Sequence, residues 1–338
     1  MRIFYLFCLI LCFSCKLEVE GEKQDGTASI KDSVMTGGVR LITLESGQQV
    51  WTKKVGSGKV KMLLLHDGPG FSHDYLQCFE DFMLPAGIEI YYYDQLGCGN
   101  SEKPADLNQY SLDNYREEVE QVRKALGLDH FYLFGHGWGG MLALEYMTSY
   151  QEKIKGLVLS NTTAGISQYQ AYATTIRNRF LSEEERVLFD SLNRNRAWNG
   201  TESQTKLFLK YYNQAICRVS PWPASFQVTW RKQNTDLYRK MMGLDEFHMN
   251  GQLQSWDRWD TLSYLAAPTL ILAGKHDEIN PEDSREMAKK MPNARSFICP
   301  AGSHLSMYDN QAVYFGEILR FIEDVEADAF NLDSAPDS

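Results

Sequence analysis

A chain of 338 residues with a formal net charge of −10 offers no basic stripe for a phosphate backbone, so nucleic acid is excluded as a partner. With 43% hydrophobic and 12% aromatic residues it can bury a sizeable core, as one large or two modest domains. Of its seven cysteines, three fall in the first fifteen residues, and Cys78, Cys98, Cys217 and Cys299 are scattered without metal-like spacing. Neither a metal centre nor an essential disulfide is therefore expected.

Arg2 precedes an apolar run over residues 3–13 that is too short to span a bilayer and fits the core of a signal peptide. Ser14-Cys15 then resembles a bacterial lipoprotein signal, although Cys12 stands where such signals usually carry Leu. On this reading residues 1–15 are the leader, Cys15 is lipidated and becomes the mature N-terminus, and acyl chains hold an exported protein at a cell-envelope membrane. Residues 16–37 are polar and glycine-containing, as expected of a flexible tether.

The folded part reads as alternating strands and helices. Residues 39–44 and 49–54 form a strand pair around the turn at Glu45-Ser46-Gly47, and 61–65 and 88–93 are short continuous apolar strands. Tyr115, Val119, Val122 and Leu126 share one helical face, and Gly127 stops the helix. A further strand leads into Gly135-His136-Gly137-Trp138-Gly139, and a helix begins at once. Small residues at 135 and 139 are what a nucleophile elbow needs, because the chain reverses there without room for side chains. After the strand at 154–160 the rhythm breaks, and residues 164–259 are helix-prone and aromatic, as expected of an inserted cap. Strands at 268–274 and 294–299 and a helix at 311–325 complete the core, which takes residues 38–163 and 260–326. An acidic tail, expected to be disordered, covers 327–338. Buried strands alternating with amphipathic helices predict a mostly parallel sheet covered on both faces.

Order supplies the chemistry. An α/β-hydrolase places nucleophile, acid and histidine in that sequence, each on a loop after a strand. Here position 137 takes the nucleophile's place, Asp277 follows the strand ending at Ala273, and His304 follows the strand ending at Cys299. The acid would orient the imidazole and the imidazole would move the proton. Gly68, after the third strand, and Trp138, after the nucleophile position, are the expected backbone donors of an oxyanion hole; Pro69 has no N–H to give.

Four stretches carry a family resemblance: His66-Asp67-Gly68-Pro69-Gly70 with Ser72-His73-Asp74-Tyr75-Leu76; Tyr93-Asp94-Gln95-Leu96-Gly97-Cys98-Gly99-Asn100-Ser101; Gly135 to Leu142; and Asn250 to Arg258. Over residues 38–325 the chain resembles the proline iminopeptidases, close to the tricorn-interacting aminopeptidases. The resemblance implies release of an N-terminal residue, often proline, from short peptides with a free N-terminus, by a serine mechanism without metal or cofactor. It also implies that cap carboxylates hold the substrate's α-amine. Glu246 falls on one such position, and a second is not placed.

Two positions depart from what the resemblance implies, which is Ser at 137 and Gly at 67. Gly137 has no hydroxyl or thiol to acylate, and Asp67 sets a carboxylate beside the oxyanion hole. His136 is expected to point away from the elbow tip and not to substitute. Gly137→Ser is expected to lower stability slightly and to restore turnover, with Asp67→Gly as a further change the chemistry could require. Three readings follow: an iminopeptidase-type serine aminopeptidase impaired at its nucleophile, a non-catalytic peptide-binding lipoprotein, or a related esterase or amidase. A dehalogenase or epoxide hydrolase would need Asp at 137.

Overall fold

The computed structural model describes residues 37–330. The leader, the lipidation site at Cys15, nearly all of the tether and most of the acidic tail lie outside the described residues. Among those described, no helix is long and apolar enough to cross a membrane.

Eight strands form one sheet: β1 (Val39–Thr43), β2 (Gln49–Val55), β3 (Val60–Leu65), β4 (Ile88–Asp94), β5 (Phe131–His136), β6 (Ile154–Ser160), β7 (Thr269–Gly274) and β8 (Ala294–Cys299). Their order is β1-β2-β4-β3-β5-β6-β7-β8. β1 and β2 pair antiparallel, β2 joins β4 antiparallel, and every later pairing is parallel. Three of the parallel strands are buried at every residue, all seven of β4 and all six of β5 and β7. Helices on both faces require this, which is why these segments read as continuous apolar runs without alternation.

The helices follow local signals. In α1 (Leu112–Leu126), the Ser111 hydroxyl caps the start and Gly127, at φ 65°, ends it in the left-handed conformation. The helix after the elbow, α2 (Trp138–Tyr150), is buried over its first ten residues, so it shows no amphipathic face. Close packing at the elbow depends on missing side chains. A Cβ at Gly139 would lie 2.2 Å from the Leu65 carbonyl oxygen, and one at Gly135 would lie 2.3 Å from that of Gly139. Both obstacles are backbone and cannot rotate aside. Gly139→Ala should therefore push α2 off β3 and cost about 3 kcal/mol in urea unfolding, the upper end of overpacking penalties. A loss below about 0.5 kcal/mol would contradict that packing.

Between β6 and β7 the chain leaves the sheet for a cap of five helices: α3 (Ile166–Phe180), α4 (Glu183–Arg194), α5 (Glu202–Ala215), α6 (Ala224–Lys232) and α7 (Thr235–Met241). The neck of this excursion is pinned by backbone bonds from Ile166 N–H to Trp256 O at 3.1 Å and from Arg258 N–H to Ala164 O at 2.7 Å. Buried Glu145 of α2 accepts from the Trp256 indole and the Arg258 guanidinium, each at 2.6 Å. The segment from Asn250 to Arg258 that carries the resemblance thus locks the cap to the helix behind the elbow. Two more helices, α8 (Pro281–Lys290) and α9 (Gln311–Glu326), close the core. Phe330, which the sequence reading assigned to the tail, packs edge-on against Phe321 with ring centres 5.3 Å apart.

Candidate active site

The carboxyl ends of β3, β5, β7 and β8 meet under the cap, around a cavity of about 540 Å³ lined by both layers. At its floor the chain turns from β5 into α2 through Gly137, at φ 52° and ψ −118°. Glycine adopts this conformation freely, whereas a side chain there is strained.

Sequence reasoning placed Asp67 beside the oxyanion hole; the structure places its carboxylate inside. Oδ1 accepts the Trp138 backbone N–H at 2.7 Å, and Oδ2 lies 3.1 Å from His304 Nε2. The Trp138 donor expected to face a substrate oxyanion is thus already occupied. A Cβ at Gly137 would sit 2.0 Å from Asp67 Oδ1 and 2.4 Å from its Cγ. The two departures are therefore one feature: the carboxylate fills the space that a residue-137 side chain would need. A Cβ introduced by Gly137→Ser would therefore meet a carboxylate held by two hydrogen bonds, which makes Asp67→Gly its natural companion change. Gly68 lines the cavity next to Asp67, and a Cβ there would meet Gly70 N at 2.5 Å.

His304 and Asp277 come together as their spacing predicts, with Nδ1 3.0 Å from Asp277 Oδ1. Asp277 also accepts from Asn161 Nδ2 at 2.7 Å and from the Ile279 N–H at 3.0 Å. The His304 loop is tied to the cap, its N–H donating to Ala215 O at the end of α5 at 2.9 Å. Burial pulls the His304 pKa down, but the carboxylates of Asp277 and Asp67 outweigh it and hold the value well above the ordinary one. For Asp67, burial raises the pKa, but the bond to His304, the charge of that ring and the Trp138 N–H together bring it below the ordinary value. The His304 ring is thus flanked by two carboxylates, Asp277 at Nδ1 and Asp67 at Nε2.

His136, expected to point away from the elbow tip, is not among the residues lining the cavity. Its Nδ1 receives the Tyr75 hydroxyl at 3.0 Å and lies 3.9 Å from Asp67 Oδ2, while its Nε2–H donates to the His304 carbonyl at 2.9 Å. The Tyr75 oxygen in turn accepts the Asp67 N–H at 2.9 Å. Burial lowers the His136 pKa to about 4, so the ring is neutral.

A second polar centre lies in the cap wall. Glu246 and Glu278 are 7% and 4% exposed and both line the cavity. Tyr212 donates to Glu246 at 2.8 Å, and Tyr211 and Tyr169 donate to the two oxygens of Glu278. Asp245, by contrast, is engaged by Asn193, His248 and the Phe247 N–H. Burial raises both glutamates, Glu278 to about 7, and the charges of Glu278 and Asp245 push Glu246 further up. Among the described residues no Lys or Arg pairs with either carboxylate. Around them, Phe208 stacks on Tyr212 at 4.1 Å, and Trp230 meets Phe208, Tyr212 and Phe71 edge-on. Trp138 is steadied by its indole N–H, which donates to Gln95 at 2.7 Å.

Sequence reasoning did not single out Glu278, Asn161, the three tyrosines, or Gln95 in this role. Only Glu278 left a signal, as a second acid directly after Asp277. The others act through contacts between segments distant in sequence: 116 residues for Asn161 and Asp277, 109 and 67 for Tyr169 and Tyr211 with Glu278, 34 for Tyr212 with Glu246, and 43 for Gln95 with Trp138.

Residues 61–311 match the family model described as alpha/beta hydrolase fold. The chain is 39% identical over 287 residues to a proline iminopeptidase of Chitinophaga pinensis, covering 83% of this chain and 96% of the relative. It is 37% identical to one of Elizabethkingia meningoseptica, covering 84% and 96%. Among solved structures it resembles VinJ, with a TM-score of 0.78 and 26% identity over 85% of this chain and 98% of that one. A proline iminopeptidase of Mycobacterium smegmatis matches with a TM-score of 0.74 and 26% identity over 86% and 99%.

Proposed function

This chain belongs to the proline iminopeptidase family of α/β hydrolases, and we propose that it recognises the free N-terminus of short peptides without forming an acyl-enzyme. One observation carries the second half of the proposal: the Asp67 carboxylate sits on both groups that a serine reaction would use, the Trp138 N–H and His304 Nε2. An acyl-transfer oxyanion would have to displace a charge of its own sign. Nothing at Gly137 can attack, and Asp277 and His304, arranged as acid and base, have no hydroxyl between them and the substrate.

The first half rests on Glu246 and Glu278. A peptide's α-ammonium entering between them supplies the missing positive charge, and the tyrosine hydroxyls already fix the carboxylate oxygens in place. The aromatic wall of Phe208, Tyr212 and Trp230 then covers the first side chain, with a flat slot suited to a pyrrolidine ring. The first residue's carbonyl is directed towards the floor at Gly137 and Trp138. An esterase would have no use for a buried acid pair at this distance from its chemistry.

Calorimetric titration with a proline-led tripeptide and its N-acetyl form tests this. Saturable binding of the free peptide is expected, weakened about 100-fold by acetylation, because the block leaves buried charge unpaired. Equal affinity for the two peptides, or a covalent acyl adduct detected by mass spectrometry on the native chain, would overturn the proposal.

A further inference from the structure

The floor of the cavity also brings beside His304 two potential ligands, Asp67 and His136, that serine chemistry does not require. We propose that Asp67, His136 and His304 form a site for one first-row divalent metal ion, with zinc favoured by the two-imidazole, one-carboxylate donor set. One ligand atom from each residue lies within 4.8 Å of the other two. Asp67 Oδ2 is 3.1 Å from His304 Nε2 and 3.9 Å from His136 Nδ1. Two ligands on one tetrahedral zinc stand about 3.3 Å apart, so Asp67 Oδ2 and His304 Nε2 already stand near that separation, and His136 Nδ1 is the ligand that has to approach.

The outer contacts argue for the same assignment. Metal-bound histidines donate their far N–H to a carboxylate or a backbone carbonyl, which fixes the tautomer and aims the other nitrogen at the metal. His304 gives its Nδ1–H to Asp277, and His136 gives its Nε2–H to the His304 carbonyl. Each ring therefore turns its remaining nitrogen towards Asp67. The second oxygen of Asp67 is held by the Trp138 N–H, leaving Oδ2 as the coordinating atom. An ion here takes the place of the hydrogen between Oδ2 and Nε2 and displaces the Tyr75 hydroxyl from His136 Nδ1. Gly137 clears the space, and because Asp67, Gly137 and His304 all line the cavity, the ion's open position faces the bound peptide. The same pair of departures that removes a serine thus completes a ligand set.

Among the described residues one other group has comparable spacing: Asp190, Asp245 and His248, in the cap. It provides the control. Chelator-treated protein would be titrated with Co²⁺, reading the visible band of four- or five-coordinate cobalt, and then with Zn²⁺ in competition. The expected result is one Co²⁺ per chain, displaced by Zn²⁺. Binding should be unchanged in His248→Gln and at least 100-fold weaker in His136→Gln and in Asp67→Gly. Circular dichroism would establish that each variant is folded. Asp67→Gly deletes a side chain from an open cavity floor, so it serves if His136→Gln does not fold. Absence of a cobalt band in folded protein at millimolar Co²⁺ would overturn the proposal. So would binding that survives both floor substitutions, or that disappears in His248→Gln.

Discussion

The double variant Asp67→Gly/Gly137→Ser is expected to hydrolyse a proline arylamide about a thousand-fold faster than the native chain or either single variant. Loss of the nucleophile in a triad enzyme costs about a million-fold, so even a poorly aligned serine would stand far above background. The reasoning is geometric. Removing the Asp67 carboxylate releases the Trp138 N–H and His304 Nε2 together, and these are the two groups between which an Oγ at position 137 would act. Asp277, Asn161 and the Ile279 N–H already hold the imidazole's other side. Gly137→Ser alone should remain silent and unfold at lower temperature. Its Cβ would evict a buried carboxylate from both partners, at a cost of about 3–5 kcal/mol, in addition to about 1–3 kcal/mol of backbone strain at φ 52°. Asp67→Gly alone should stay folded and equally silent. A double variant that folds, binds free-amine peptides and still shows no turnover would mean that the floor is not a vacated serine site.

This pairing of positions 67 and 137 marks the boundary of what the sequence made legible. The sheet could be read because buried parallel strands are continuous apolar runs, and β4, β5 and β7 are buried at every residue. The elbow could be read because Gly135 and Gly139 answer to backbone obstacles that leave no room for another residue type. Gly137 and Asp67 were each visible as a departure, but 70 positions separate them, and a steric complement across that gap leaves no periodicity. What His136 touches was hidden for a related reason. The rule that the residue before an elbow nucleophile points away says where the side chain starts. It does not say that Tyr75 and the His304 carbonyl then steer the ring back towards Asp67. Glu278 was hidden by its neighbour: a loop acid beside Asp277 reads as a turn residue until Tyr169 and Tyr211 are seen to close on it from the cap.

Glu278→Gln is expected to weaken binding of a free-amine peptide about 100-fold at pH 8 and to leave the N-acetyl peptide nearly unaffected. Glutamine keeps the shape of the wall and accepts one tyrosine hydroxyl on its Oε1, while its NH2 donates to the other tyrosine's oxygen, so the charge is lost and one hydrogen bond reverses. The native chain should show the same charge through pH. Burial holds the Glu278 pKa at about 7, opposed by His304 and the two tyrosines, and burial with the neighbouring carboxylates of Glu278 and Asp245 raises Glu246 well above its ordinary value. Affinity for the ammonium should therefore rise as pH passes from about 6 to 8, then fall as the peptide's own amine loses its proton above about 8. Stability of the peptide-free protein should move the other way. The folded state keeps a proton on Glu278 between the ordinary value of 4.5 and about 7, while the unfolded chain has released it. More protons are bound by the folded state in that window, so stability declines as pH rises across it and levels off above. The decline attributable to Glu278 is about 3 kcal/mol, and Glu278→Gln should lack it and melt above the native protein at pH 8. Denaturation curves at pH 5, 6.5 and 8 with and without the free-amine peptide would separate the two trends. Peptide affinity that is level with pH, or a Glu278→Gln variant no more stable than the native chain at pH 8, would show that this carboxylate is not held ready for a cation.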